Sequence, residues 1–146
     1  MNHRSRSTLF LIEQLIVIAI FALCAAVCAR ILTAAYLSAR DARDISNALH
    51  RAESCAESFK ATGGDFGQIK DILGGTVGIT EGAQAVFVYY DNNWTACKED
   101  GASYRLILKT GDPSGFNAHI RVGEISVERL AGDELYAITV AARKSL

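Results

Sequence analysis

The chain has 146 residues, a one-domain length, and half of them are apolar. Its net charge of −1 gives no electrostatic reason for a nucleic-acid partner. The charges are segregated, however. His3, Arg4 and Arg6 precede a run at 9–29 whose only polar side chains are Glu13 and Gln14, whereas residues 61–146 carry eight Lys/Arg against eleven Asp/Glu.

No Gly or Pro occurs from Met1 to Thr62, and these two residues are the main helix breakers. Residues 9–29 are enough, at about 1.5 Å rise each, to cross a hydrocarbon core of roughly 30 Å. The basic flank predicts that this end stays cytoplasmic and that the following domain lies outside. Past Ala29 the pattern changes without a stop signal. Ile31, Leu32, Ala35, Tyr36, Ala39, Ala42, Ile45, Ala48, Leu49, Ala52, Cys55, Ala56 and Phe59 recur at spacings of three and four, an amphipathic stripe. Arg40 and Asp44 stand four apart, the spacing of a helical ion pair. The sequence therefore predicts one helix from about Leu9 to about Thr62. Residues 1–8 form a basic leader, 9–29 lie in lipid, and 30–62 cover a small domain. Gly63-Gly64 supplies the stop.

Residues 63–146 read as that domain. Asp65 caps a short helix through Ile69, Ile72 and Leu73, closed by Gly74-Gly75, and the glycine-rich residues 74–82 read as a connection. Then the period falls to two. Residues 85–90 are β-branched and aromatic, Asp91-Asn92-Asn93 is a turn before 94–96, and 103–110 follows. After a loop at 111–115 come 117–128, a turn at Ala131-Gly132-Asp133, and 135–143. Short connections imply an antiparallel meander, and a sheet with one apolar face needs a cover. The expected fold is α+β: a long N-terminal helix packed on a four-stranded antiparallel meander.

Little in the composition carries catalytic or metal chemistry. His3, His50 and His119 lie on three different elements without ligand spacing, no Cys/His pattern suits zinc, and no nucleophile has a base beside it. No enzyme, metal or cofactor is expected. Glu124, Glu128, Asp133 and Glu134 read as a solvated strand end and turn, and Asn93-Trp94-Thr95 as a chance sequon match. Cys24 and Cys28 share one helical face as small packing residues, with palmitoylation as the alternative. Cys55 and Cys97 fall in the exterior domain, where a disulfide would persist. Two unpaired thiols are the equal alternative, because geometry decides.

The run Thr8-Leu9-Phe10-Leu11-Ile12-Glu13-Gln14-Leu15-Ile16-Val17-Ile18-Ala19-Ile20 resembles the N-terminal segment of type IV pilins and type II secretion pseudopilins. The resemblance covers about residues 5–35. It implies a long helix on an antiparallel sheet and cleavage by a prepilin peptidase between Thr8 and Leu9. It also implies a mature chain with Glu13 at its fifth position, pairing with the free amine of a neighbouring subunit. Implied partners are other pilin or pseudopilin subunits, the inner or cytoplasmic membrane, the peptidase and assembly platform proteins. No glycine precedes Leu9 and no proline ends the membrane segment, departures that point to a divergent minor pilin or pseudopilin. Two other readings compete: a bitopic membrane protein whose exterior domain binds something unrelated to filaments, and a secretory signal ending near Ala29. The early polar pair Glu13-Gln14 and the length of the run weigh against the signal.

Overall fold

A computed structural model describes residues 3–111 and 119–143, with side chains from Thr8 onward. The expected loop beyond Gly111 and the start of the strand expected at 117–128 lie outside these residues. The chain divides into two compact units, Met1–Ala42 and Arg43–Leu146. Among the described residues the first holds only helix. α1 runs His3–Ala61, and its residues 8–43 are all exposed.

In the second unit α1 acquires a buried face. Asp44, Ala48, Ala52, Cys55, Ala56 and Phe59 are buried, a three-and-four spacing that lays one stripe on the sheet. The stripe expected from 30 onward begins to bury only at Asp44; Ile31, Leu32, Tyr36 and Leu37 are exposed. Small side chains at 48, 52 and 56 let the helix approach closely, and Phe59 fills the far end.

The helix stops where glycine allows. Gly63 and Gly64 have φ of 61° and 77°. The Gly64 N–H donates to the Phe59 carbonyl at 2.9 Å and the Gly63 N–H to that of Lys60 at 3.3 Å. These are the two bonds of a Schellman end, and Lys60 in the last turn suits the dipole. α2 follows at Phe66–Leu73, where the Asp65 carboxylate accepts from the Gly67 and Gln68 N–H groups and Gly74 closes the helix in the left-handed region.

Six strands form one antiparallel sheet: β1 Thr76–Thr80, β2 Ala83–Tyr90, β3 Ala96–Cys97, β4 Tyr104–Thr110, β5 Ile120–Arg129 and β6 Glu134–Arg143. Their order is β1-β2-β4-β5-β6, with β3 paired to the end of β2. The four-stranded expectation is corrected by β1, which lies within the expected glycine-rich connection, and by β3. Glycine misled because here it serves a hairpin: Glu81 and Gly82, φ 51° and 78°, form a two-residue turn of the kind that joins twisted strands.

One sheet face carries the core in cross-strand rows. Val86, Leu108, Ile125 and Ile138 stand side by side, as do Val88, Leu106, Val127 and Tyr136. Each fully buried side chain such as Leu106, Leu108 or Phe59 contributes about 1.5–3 kcal/mol by leaving water. Gly123 is the contact point for α1. A Cβ there would meet Phe59 Cε2 at 2.8 Å and Leu108 Cδ1 at 3.0 Å, so only glycine lets the phenyl ring sit on β5. The other face is laced by ion pairs, Arg105 with Glu128 and Lys109 with Glu81 and Glu124.

Two side-chain clusters fasten α1 further. Asp44, 5 % exposed, accepts from Arg129 Nη2 at 2.8 Å, so its ion pair is made across the domain and not with Arg40 as expected. Arg51 lies over the Tyr90 ring, 5.0 Å from its centroid, and Arg51 Nη2 donates to the Trp94 carbonyl at 2.7 Å. Trp94 is buried and stacks on Tyr104 at 4.1 Å. It stands in the left-handed region, φ 60°, held by an Asx turn in which the Asp91 carboxylate accepts from the Asn93 and Thr95 N–H groups.

Candidate functional site

The feature that demands a functional account is the exposed apolar run on α1. Leu9, Phe10, Leu11, Ile12, Leu15, Ile16, Val17, Ile18, Ile20, Phe21, Leu23 and Val27 are all at least half exposed. Contiguous apolar surface on this scale marks a membrane or protein contact in a folded chain. The helix is long and apolar enough to cross a membrane, and none of its most apolar window is buried. In lipid a helix succeeds because its backbone polar groups satisfy one another. Thr33 follows the same rule, its hydroxyl donating to the Ala29 carbonyl at 3.0 Å.

Glu13 interrupts this surface. Its helical neighbours one turn away are Leu9, Phe10, Ile16 and Val17, so the carboxylate has only apolar side chains within one turn on its own face. Thr8, Leu9 and Glu13 share one stretch of α1, with Leu9 and Glu13 four apart. Cys24 and Cys28 are exposed free thiols on the same helix.

The other sequence candidates are not gathered into a site. Cys55 and Cys97 are free thiols, Cys55 buried in α1 and Cys97 half-buried on β3. Burial pushes the Cys55 thiol up to about 12, which makes it a packing group and not a nucleophile. His50 is exposed 3.7 Å from Glu53, and His119 is exposed before β5. Of the acidic residues near the sheet end, Glu124 pairs with Lys109, Glu128 with Arg105, and Asp133 lies 3.9 Å from Arg129. Among the described residues no group of three or more His, Cys, Asp or Glu is placed to hold a metal ion. A cavity of about 410 Å³ opens beside Gly64, Phe66, Gly111 and Arg121. Its charged side chains are committed to structure: Asp65 caps α2, and Arg121 Nη1 donates to the Gly64 carbonyl at 2.8 Å.

Reading the sequence missed the Asp44–Arg129 pair and the Tyr90–Trp94–Tyr104 stack. Asp44 sits at a core-spaced position four residues before buried Ala48, and a carboxylate in such a stripe is the signal for a distant cation. No protein-family model matches the chain, no curated protein matches it, and no solved structure matches it.

Proposed function

We propose that this chain is a structural subunit of a type IV pilus, or of a type II secretion or competence-like pseudopilus. In this reading it is a single-pass membrane protein with a cytoplasmic N-terminus, an exterior sheet domain and no enzymatic activity. The observation that carries the proposal is the continuity of α1: one helix is bare and apolar in its first part and forms the cover of a folded sheet in its last. Supporting it are the basic flank, the resemblance of residues 8–20 to pilin and pseudopilin N-termini, and the isolated carboxylate of Glu13. A carboxylate within a membrane helix costs about 2.5–3.5 kcal/mol at the helix centre, less near an end, and a cation from a neighbouring subunit offsets that cost. After cleavage before Leu9, the new amine of an adjacent copy is that cation.

The exposed apolar side chains at Ile31, Leu32, Tyr36 and Leu37 lie past the 21 residues that fill a bilayer. In an assembly other helices cover them. The test expresses the chain with and without a prepilin peptidase and measures its N-terminus by mass spectrometry. A start at Leu9 in the peptidase sample alone is expected. An intact Met1 in both removes processing-dependent assembly. The missing glycine before Leu9 favours one second reading, an unprocessed bitopic protein whose exterior domain binds a partner of its own. Crosslinking of α1 to pilin-like subunits decides between the two.

A further inference from the structure

The sheet ends in two open edges. Its strand order begins at β1 and finishes at β6, and no other strand among the described residues pairs with the outer side of either. An open edge offers unpaired N–H and C=O groups to another chain, and soluble proteins blunt it with charge, proline or a bulge. Between its ends β6 has neither charge nor proline: eight uncharged residues, Leu-Tyr-Ala-Ile-Thr-Val-Ala-Ala, separate Glu134 from Arg143, and a bulge at Leu135, beside Glu134, leaves Tyr136–Arg143 in regular register. β1 carries two exposed apolar side chains, Val77 at 42 % and Ile79 at 80 %. Val77 stands opposite buried Val86, so both belong to the core face and extend it past the edge. With Gly78, Gly82 and Gln84 they line a shallow groove.

We infer that these edges are the two halves of one interface, in which β6 of one copy adds in parallel to β1 of the next; the inference rests on the membrane-anchored assembly proposed above. The direction follows from topology. Successive pairings β1·β2, β2·β4, β4·β5 and β5·β6 are all antiparallel, so four reversals leave β6 parallel to β1. A neighbour displaced sideways therefore presents the matching strand direction, the same core face and the same α1 direction. Pairing β6 with β6, or β1 with β1, instead needs a two-fold axis through the sheet and sets like strands antiparallel.

The side chains fit this register. Setting Ile79 opposite Val140 aligns Val77 with Ile138 on the core face and Thr80 with Ala141 on the outer face. It also brings Glu81 beside Ala142, one residue from Arg143. The Glu81 carboxylate already turns to the outer face, 3.2 Å from Lys109. Arg143, paired in register with Ile120, is on that face too. Opposite charges then close the end of the joint. Such a head-to-tail contact leaves one edge of each terminal copy free, so it recruits further subunits into a row or a ring.

Disulfide trapping in membranes tests this on the full chain with Cys24→Ala, Cys28→Ala and Cys97→Ser, leaving only buried Cys55. Thr80→Cys and Ala141→Cys are added singly and together. Within one copy these positions are four strand spacings apart, roughly 19 Å, so they cannot bond to each other. Copper-catalysed oxidation of the double variant is expected to give a ladder of dimers, trimers and higher species on a non-reducing gel, while each single variant stays monomeric. Adding Ile79→Lys, at a site too exposed to unfold the domain, is expected to abolish the ladder. Single variants that dimerise as readily as the double overturn the inference in favour of two-fold edge pairing. A double variant that stays in alkali-washed membranes without a ladder overturns the edge interface alone. A chain released by that wash removes the anchored reading and the inference with it.

Discussion

Gly123→Ala is the most direct probe of how α1 is seated. The added methyl would lie 2.8 Å from Phe59 Cε2, 3.0 Å from Phe59 Cζ and 3.0 Å from Leu108 Cδ1, three contacts inside the normal limit. Phe59 and Leu108 are both fully buried, so neither swings away freely, and overpacking of this kind costs about 1–3 kcal/mol. In a domain of this size each kcal/mol lowers Tm by roughly 4–8 °C. The assay is thermal or urea unfolding of the detergent-solubilised chain followed by fluorescence. Trp94 is the sole tryptophan and is stacked in the core, so it reports the sheet domain and not the exposed part of α1. Phe59→Leu supplies the second arm: alone it leaves a gap and destabilises, but with Gly123→Ala the gap receives the methyl. The double variant should be more stable than the sum of the singles by at least about 0.5 kcal/mol, the scale of coupling between touching residues. Strict additivity would refute the idea that the ring of Phe59 rests on Gly123.

Four further outcomes follow from the same geometry. Asp44→Asn leaves Arg129 without its buried carboxylate; because Arg129 keeps partial solvent and Asp133, the loss in urea unfolding should fall at the low end of the roughly 3–5 kcal/mol for broken buried pairs. Cys55, raised by burial from 9.0 to about 12, holds its proton in the folded state at pH values where the unfolded thiol has lost it. Its contribution is therefore full below pH 9 and is lost as pH rises towards 12, so Cys55→Ala should flatten the alkaline limb of the stability profile. Cys24 and Cys28 should be shielded from a membrane-impermeant maleimide in vesicles, whereas Cys97 in sealed right-side-out vesicles should react; labelling of Cys24 at the rate of Cys97 would contradict a lipid-embedded α1. Glu13→Ala should leave membrane insertion intact and reduce crosslinking to partner subunits, and unchanged crosslinking would remove Glu13 from assembly.

Much of the architecture was legible because it rests on periodicity and on glycine. The helix, its end at Gly63-Gly64, the Asp65 cap and most of the strands that build the apolar face all leave short-range marks. The first strand did not, since Thr76–Thr80 contains Gly78, follows Gly74-Gly75 and precedes Gly82, the composition of a loop. Only the pairing with Ala83–Phe87, with Phe87 covering Gly78, makes it a strand. The extent of the buried stripe was illegible for another reason: Leu32 and Tyr36 have the same spacing as Ala52 and Ala56, and nothing local says where the sheet begins to be covered. The partner of Asp44 is 85 residues away, beyond any local rule. In the candidate site, the bare apolar run and Glu13 were visible at once, because length and apolarity sufficient to cross a membrane are written in consecutive residues.

That separation of 85 residues also bears on the order in which the protein is made. Synthesis delivers the N-terminal end first, so the whole of α1 emerges before the strands that receive it. Gly123, on which Phe59 rests, and Arg129, which holds Asp44, both belong to β5. In the membrane-anchored reading proposed above, the bilayer can therefore capture residues 9–29 while Ala48, Ala52 and Phe59 still have no floor beneath them. Insertion and folding would then be successive events on one helix, and the interval between them is when the uncovered stripe is open to chaperones or to premature self-association.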